Sequence, residues 1–268
     1  MNLASTHLQR LVTGAALAAL LTAGLAFGGW ALLLLALAAS SLALLEFYTM
    51  FWSGNARLPL KAMGVVLGAA TLVAGHMDKP WLVLGCLGGA FLAGSLSFLA
   101  SWGSGHDDAR FEDGQILAAG VLYVPVLLLP ALHFNVKEQM LVMLVAIVSD
   151  TGAYYIGSLL GRHKIWPRVS PKKSWEGSLG GLACCMAGCI TMGTVWGTQP
   201  LWTYALLGIM LNIASQTGDF FESALKRKLG VKDSGALLPG HGGLLDRIDS
   251  LLFVVPAYAA VASIYKFF

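Results

Sequence analysis

Charged residues are scarce in this sequence, and their scarcity argues against an ordinary water-soluble protein. Only 12% of the 268 residues are Asp, Glu, Lys or Arg, whereas about a quarter of the residues in a typical soluble domain are charged. Hydrophobic residues make up 57% of the chain, and the mean hydropathy is +0.72. The composition therefore predicts an integral membrane protein.

Cysteine is also scarce, and the common nucleotide-binding loops are missing. Three of the four cysteines fall in one apolar run, and their spacing does not match a zinc site, so we interpret them as packing residues. The sequence contains no G-x-x-x-x-G-K-[ST] loop and no strand-flanked G-x-G-x-x-G, which argues against the soluble nucleotide-binding folds. We predict no nucleic-acid partner.

Long apolar runs, by contrast, are abundant and predict about nine transmembrane helices, because a helix needs about 20 apolar residues to cross a bilayer. The approximate spans are 11–28, 30–51, 60–76, 81–101, 115–134, 138–160, 177–198, 200–218 and 250–268. The first run follows Arg10 and lacks a convincing small-residue cleavage site, so we predict that it is retained.

These apolar runs predict the fold class and divide the chain into two parts. We expect an all-α, polytopic integral membrane protein in one membrane-embedded unit. Residues 1–110 would supply the N-terminal transmembrane helices, and residues 111–268 the helices and loops that carry the polar motifs. Glycines within the spans, as in Gly157-x-x-x-Gly161 and Gly85-x-x-Gly88-Gly89, are interpreted as helix-packing positions.

The distribution of lysine and arginine predicts the orientation. With nine spans, 14 of the 17 basic residues fall on one side, and cytoplasmic loops are enriched in these residues. Only Lys79, Lys137 and Lys266 fall on the other side. We therefore predict a cytoplasmic N-terminus in the bacterial cytoplasmic (inner) membrane, with both large basic loops facing the cytoplasm.

Asp150 is an acidic residue within a predicted transmembrane helix. It lies in the sixth apolar run, where an acid is costly and more often functional than incidental. Tyr154 follows four residues later and would share its helix face. The alternative is a structural hydrogen bond to Ser149, Thr151 or a neighbouring helix.

A second polar group lies in the segment SPKKSWEGSLGG, residues 170–181. Lys172, Lys173 and Ser174 could form a cationic, hydroxyl-bearing rim that binds the phosphate of a lipid or nucleotide. The alternative is helix capping combined with a basic membrane anchor.

The third group extends from Ser215 to Ser250 and carries the most charge. Asp219 and Glu222 are three residues apart, and Glu222 and Lys226 are four apart. If this segment is helical, all three side chains line one face beyond the eighth span.

Asp246 and Asp249 repeat the three-residue spacing before the ninth span. Mg²⁺ in proteins is bound by one or two carboxylates together with substrate phosphate oxygens, so paired acids beside cations favour a metal–phosphate site. Cations that could bind phosphates are Lys226, Arg227, Lys228 and Lys232, and glycines that permit close backbone approach are Gly240, Gly242 and Gly243.

His241 lies between glycines and could donate a hydrogen bond to a phosphate, although an ordinary loop histidine is the alternative. For the whole segment the alternative is a lipid-headgroup anchor with internal ion pairs. An anchor explains the lysines but neither the paired acids nor the Gly-His-Gly-Gly turn.

In these segments the chain resembles the phosphatidate cytidylyltransferase family, the CDP-diacylglycerol synthases. The family signature reads here Ser223-Ala-Leu-Lys226-Arg227, then Lys232-Asp233, then Pro239-Gly240-His241-Gly242-Gly243-Leu-Leu-Asp246-Arg247-Ile248-Asp249. Segments 149–154 and 170–177 also look like family motifs, with Ser174 where threonine is frequent. The match covers the C-terminal half, and the N-terminal half agrees in hydropathy only.

The resemblance implies an enzyme of phospholipid biosynthesis, a nucleotidyltransferase that joins CTP to phosphatidic acid and gives CDP-diacylglycerol and pyrophosphate. Mg²⁺ is the implied cofactor, with room for a second cation; membrane lipids are further partners, and a homodimer is left open.

The residues that we assign to this reaction form three sets. Those predicted as catalytic are Asp219, Asp246, Lys226 and Arg227. Those predicted to bind substrate are Lys172, Lys173, Ser174, Lys232, His241, Gly242, Gly243, Arg247 and Asp150. Those predicted to bind Mg²⁺ are Asp219, Asp246 and Asp249.

Two other functions remain open from the sequence. A CTP-dependent lipid kinase would need the same cations and Mg²⁺ but also a general base beside the lipid hydroxyl. An ion-coupled transporter is less favoured, because transport sites usually lie near the membrane midplane on interrupted helices, whereas this charge is concentrated in the loops of one half.

Overall fold

The computed structural model describes residues 22, 24, 26–105, 109–236 and 242–268. Most of the predicted first span lies outside these residues, as do Arg10 and His241.

Eight α-helices account for most of the described chain. In order they are α1 (Gly29–Phe51), α2 (Leu58–His76), α3 (Pro80–Gly103), α4 (Glu112–Val121), α5 (Val136–Leu160), α6 (Trp175–Trp196), α7 (Leu201–Lys228) and α8 (Leu245–Ala262). After α4 the chain continues through a π-helical turn, Leu122–Val126, and a 3₁₀ turn, Leu129–His133. Within the described ranges there is no β-strand, only an isolated bridge between Lys164 and Ser174. The predicted all-α class is confirmed.

Within the described part of the chain, six segments are long and apolar enough to cross a membrane: α1, α2, α3, Glu112–His133, α5 and α6. This confirms a polytopic membrane protein, while the count of nine spans stays a prediction. The π-helical turn coincides with Pro125, which has no backbone N–H and so interrupts the regular ladder of helical hydrogen bonds.

Two helices differ in extent from the approximate spans predicted for them. Helix α7 continues ten residues beyond the predicted end at 218, because the charged segment that follows is itself helical. Helix α8 begins at Leu245 and ends at Ala262, not at 250 and 268. The last residues leave the helix, and the backbone carbonyl of Phe267 accepts hydrogen bonds from Tyr204 Oη (2.5 Å) and Thr198 N (3.0 Å).

The helices group into two compact units. The first contains the described residues of Met1–His133 and Asp233–Asp246, and the second contains Phe134–Lys232 and Arg247–Phe268. The first two residues of α8 therefore belong to the first unit.

Glycines bring helices together within each unit. In the second unit, a Cβ on Gly157 of α5 would lie 3.4 Å from the Cα of Gly177 of α6, so the predicted packing role of Gly157 is confirmed. In the first unit, Gly94 of α3 packs directly on Gly114 of α4. Gly85 and Gly88, by contrast, have no described atom within 4 Å of a built Cβ, so the structure does not show the packing predicted for them.

Candidate active site

A cavity of about 580 Å³ lies in the second unit. It is lined by the C-terminal half of α5, the loop between α5 and α6, the first turn of α6 and the middle of α7. Its charged lining residues are Asp150, Lys164, Lys172, Lys173 and Asp219. The cavity thus combines three ammonium groups with two carboxylates, which suits an anionic ligand that carries a metal ion.

The α5 wall brings Asp150 and Tyr154 to the cavity, as their four-residue spacing predicted. Ser149, which the sequence offered as a partner of Asp150, donates instead to Asn212 Oδ1 at 2.9 Å. One turn further along α5, Gly157 also lines the cavity and leaves space where a larger side chain would stand.

The loop between α5 and α6 is held in a fixed conformation, so its lysines are presented in defined positions. Glu176 accepts hydrogen bonds from the backbone N–H groups of Arg162 (3.1 Å) and His163 (3.2 Å), and its Oε1 lies 2.5 Å from His163 Nδ1. The bridge between Lys164 and Ser174 closes the loop.

Ser174 performs the capping role that the sequence left as an alternative. Its hydroxyl accepts from Gly177 N at 3.2 Å at the N-terminus of α6, and the residue is 2% exposed. The Ser174 hydroxyl thus already accepts a hydrogen bond from the backbone beside the cavity. The predicted binding of substrate by Ser174 stays a prediction.

Lys173 and Asp219 form an ion pair in the cavity wall. Asp219 also accepts a hydrogen bond from Ser223 Oγ at 3.2 Å, and the Lys173 ammonium lies 4.3 Å from the centre of the Phe220 ring. The Lys173 charge is therefore placed by a carboxylate on one side and an aromatic face on the other.

The predicted charged face of α7 is confirmed. Lys226 Nζ lies 3.1 Å from Glu222 Oε1, and the Glu222 side chain is fully buried. Because its charge is paired inside the protein, Lys226 is a weaker candidate for direct phosphate binding than Lys173, although its predicted role is not tested.

Asp249 lies beside the α7 turn that carries Asp219. A side chain on Gly218 would collide with the Asp249 carbonyl, so the backbones of α7 and α8 approach closely there. The Asp249 carboxylate accepts from Ser250 N at 2.6 Å.

Asp246 belongs to the first unit, where it holds its own loop. Its carboxylate accepts from Ser234 N (3.1 Å) and Gly243 N (2.9 Å). Gly242 has a φ of +80°, which favours glycine, and a Cβ there would lie 2.9 Å from Asp246 Oδ2. Gly242 therefore has a conformational requirement beside the phosphate contact predicted for it.

The remaining predicted residues lie at the surface or outside the described chain. Arg227, Lys232 and Arg247 are exposed, and Arg227 donates to the Val231 carbonyl at 3.3 Å. His241 lies outside the described residues, so its predicted role is not tested.

A second cavity, of about 670 Å³, adjoins the first within the second unit. Its walls are mainly apolar and come from the α5–α6 loop, α6 and α7. Ile165, Ser178 and Gln216 line both cavities. An apolar cavity beside a charged one fits a ligand with a charged head and an apolar tail.

The donor set can be tested against the implied Mg²⁺. Among the described residues, no group of three or more His, Cys, Asp or Glu side chains could hold a metal ion. Mg²⁺ needs only one or two carboxylates when phosphates supply further oxygens, and the Asp219 carboxylate already binds a cation, the Lys173 ammonium. The residues present therefore fit the ion together with its phosphate ligand.

Sequence reasoning missed several polar residues, of which Glu46 is the most notable. Glu46 is a lone acid in the apolar run of α1 and is 8% exposed, and an acid inside a membrane helix is a functional candidate by default. That signal could have found it. Ser178 and Gln216 gave no comparable signal, because small polar residues are common in packed helices.

Comparison with known proteins places the chain in a family. The model of the cytidylyltransferase family matches residues 8–265. The chain belongs to the cytidylyltransferase family. The predicted membership is confirmed, and with it the predicted enzyme class, a nucleotidyltransferase of phospholipid biosynthesis.

Individual cytidylyltransferases match over different lengths. The phosphatidate cytidylyltransferase of Staphylococcus saprophyticus is 34% identical over 234 residues, 85% of this chain and 88% of its own length. That of Staphylococcus haemolyticus is 51% identical over 114 residues, 42% of this chain and 44% of its own. That of Mycobacterium tuberculosis is 47% identical over 110 residues, 41% of this chain and 34% of its own. The two shorter matches thus span less than half of either protein.

Proposed function

We propose that this protein transfers the cytidylyl group of CTP to phosphatidic acid and forms CDP-diacylglycerol and pyrophosphate. The observation that carries the proposal is the pair of adjacent cavities in the second unit, one lined by three lysines and Asp219 and the other mainly by apolar side chains. The first suits a triphosphate, and the second suits acyl chains.

The reaction needs charge compensation more than proton transfer. The phosphate oxygen of phosphatidic acid attacks the α-phosphorus of CTP, a new P–O bond forms, and the bond to the β-phosphate breaks with release of pyrophosphate. The attacking oxygen is already anionic at neutral pH, so no general base is required. Lys164, Lys172 and Lys173 would reduce the repulsion between the two anions and stabilise the charge that develops on the departing pyrophosphate.

We assign Mg²⁺ to the Asp219 carboxylate, with phosphate oxygens as its further ligands; metal binding by Asp246 and Asp249, and a second cation, stay predictions from the sequence. When bound, the ion would neutralise phosphate oxygens and polarise the α-phosphoryl group. In the protein alone Lys173 neutralises Asp219. The same ammonium is then available to a phosphate when the carboxylate binds a metal ion.

Ser178 and Gln216 are the residues that we assign to the junction of the lipid headgroup and its tails. They line both cavities and bind each other, with Gln216 Nε2 donating to the Ser178 carbonyl at 3.1 Å. Polar groups at this boundary suit the ester oxygens of a diacylglycerol, which lie between the phosphate and the acyl chains.

We further propose that the enzyme lies in the bacterial cytoplasmic (inner) membrane with its charged cavity facing the cytoplasm, where CTP is available. The excess of lysine and arginine in the loops assigned to that side supports this orientation. The homodimer remains a prediction, which a mass measurement of the detergent-solubilised protein would test.

Transfer of isotope from CTP tests the proposed reaction. Purified protein in lipid nanodiscs is incubated with phosphatidic acid, Mg²⁺ and CTP labelled at either the α- or the γ-phosphate. We expect α-label in the lipid product and γ-label in pyrophosphate. Label from the γ-phosphate in the lipid would instead indicate a lipid kinase, and the absence of both products would contradict a nucleotidyltransferase.

Metal removal tests the cofactor assignment in the same assay. We expect chelation with EDTA to abolish transfer and excess Mg²⁺ to restore it, because the phosphates of CTP would otherwise remain uncompensated. Full activity in EDTA would exclude a divalent cofactor.

A further inference from the structure

Glu46 of α1 binds three hydrogen-bond donors of one distant segment in the first unit. Its Oε1 accepts from Leu244 N at 3.0 Å, and its Oε2 accepts from Leu245 N at 2.8 Å and from Ser234 Oγ at 3.0 Å. Two of these donors are backbone N–H groups at the start of α8, where a carboxylate satisfies donors that have no partner within the helix.

The glycines around Glu46 show that this contact is closely packed. A Cβ on Gly235 would lie 2.6 Å from Glu46 Oε1, and one on Gly243 would collide with Ser234 Oγ and Glu46 Oε2. Gly243, the last glycine of the Pro-Gly-His-Gly-Gly motif, is therefore required for the backbone to fit against the carboxylate.

The same segment positions Asp246. Ser234 N and Gly243 N donate to the Asp246 carboxylate. The Ser234 hydroxyl and the backbone N–H groups of Leu244 and Leu245 donate to Glu46. Glu46 and Asp246 thus share one set of loop residues, so the position of one carboxylate depends on the other.

We propose that Glu46 is a positioning residue for the cytidylyl transfer: it fixes the segment Gly243–Asp246 and so orients the Asp246 carboxylate. This inference rests on the proposed function for its catalytic consequence. The contact between Glu46 and the segment Gly243–Asp246 does not depend on the proposed function.

Glu46→Gln is the sharpest test, because it keeps the volume of the side chain but replaces one acceptor oxygen with an NH₂ group. That NH₂ group cannot accept a hydrogen bond from the donors that contact Glu46. Hydrogen exchange without substrates should accelerate by about 10- to 100-fold at Leu244 and Leu245, which lose a hydrogen bond to a charged acceptor. The kcat should fall by about 10- to 100-fold as Asp246 is displaced, while the KM for CTP should change by less than about threefold. Glu46→Asp keeps both acceptor oxygens and should recover part of the kcat.

Glu138→Gln is the matched control. Glu138 is also a carboxylate at a helix N-terminus, where it accepts from Asn135 N at 2.8 Å and from Tyr258 Oη at 3.1 Å, all within the second unit. We expect no change of exchange at Leu244 and Leu245 and no change of kcat. Ser234→Ala removes one donor and should give a smaller acceleration, which keeps the test valid if Glu46→Gln protein does not accumulate.

Two results would overturn the proposal. Unchanged exchange at Leu244 and Leu245 in Glu46→Gln protein would show that Glu46 does not hold the segment. Accelerated exchange with wild-type kcat would show that the contact is structural only. Failure of the proposed function itself is recognised separately, because wild-type protein would then transfer no α-label from CTP.

Discussion

Lys173 is the side chain on which the proposed binding of phosphates in the charged cavity most directly depends. It contacts a carboxylate, Asp219, and an aromatic ring, Phe220, and only 28% of its side chain is exposed. Such an ammonium is partly desolvated and held in place, so it interacts more strongly with a phosphate than a freely moving surface lysine does.

Lys173→Met should therefore lower kcat/KM by about 100-fold. This is comparable to the loss of one hydrogen-bond donor that is positioned to stabilise the negative charge of the transition state. Asp219→Asn should be similarly damaging. Because each residue positions the other, we expect the double variant to be less impaired than the product of the two single effects, with a coupling of about 1–3 kcal/mol. Steady-state kinetics of the four proteins measure this coupling.

Lys137→Met provides the control for loss of one positive charge. Lys137 is exposed in the first turn of α5, outside both cavities, and its replacement should leave kcat/KM unchanged. Strictly multiplicative effects of Lys173→Met and Asp219→Asn would contradict a functional pair.

At the residue scale, local contacts were predictable and distant ones were not. The three- and four-residue spacings of Asp219, Glu222 and Lys226 fix their common face once the segment is helical. Glu46 and Leu244, by contrast, are 198 residues apart, and no periodicity relates them. Only the cost of a lone acid in an apolar helix marks Glu46 as unusual.

At the scale of elements, helices α6 and α7 build the apolar cavity, to which we assign the acyl chains of the proposed lipid substrate. Leu179 and Leu182 come from α6, and Ile209 and Ile213 from α7. These side chains would contact acyl chains rather than the phosphate, so changes here should separate lipid binding from CTP binding.

Ile213→Trp should narrow this cavity. We expect the KM for phosphatidic acid with 16-carbon chains to rise by about tenfold, a change of about 1.4 kcal/mol, because the added indole occupies space that the chains require. The KM for a short-chain, dihexanoyl phosphatidic acid and the KM for CTP should change by less than about twofold. The measurement is transfer of α-label at varied concentrations of each lipid in mixed micelles.

Leu206→Trp on the same helix is the matched control. Leu206 is 56% exposed and does not line the cavity, so the same bulky side chain there should alter neither KM. Equal increases for long and short lipids in Ile213→Trp protein would mean that the apolar cavity does not bind acyl chains.

Element boundaries show why hydropathy predicted the helices better than their ends. Apolar runs coincide with the cores of all eight described helices, and six of the described segments are long and apolar enough to cross a membrane. The apolar run ends at the first charged turn, however, whereas helix α7 continues to Lys228. The helix therefore extends out of its apolar part and carries the charged site with it.

At the scale of the whole molecule, the asymmetry of basic residues is the property from which we predict the orientation in the membrane. Fourteen of the 17 lysines and arginines fall on one predicted side. Helix α5 offers the most direct test of this arrangement, because its 25 residues extend about 37 Å at 1.5 Å per residue, enough to cross the hydrocarbon core once.

Residues at opposite ends of α5 should accordingly be labelled from opposite sides of the membrane. We expect Arg168→Cys, beyond the C-terminal end, to react with a membrane-impermeant maleimide only in inverted vesicles, and Lys137→Cys, at the N-terminal end, only in right-side-out vesicles. Both parent residues are exposed, so access to reagent depends on the side. The parent protein, with its four native cysteines, supplies the background. Labelling of both positions in the same vesicles would contradict a single crossing by α5, and the reverse pattern would place the lysine-lined cavity on the side without CTP.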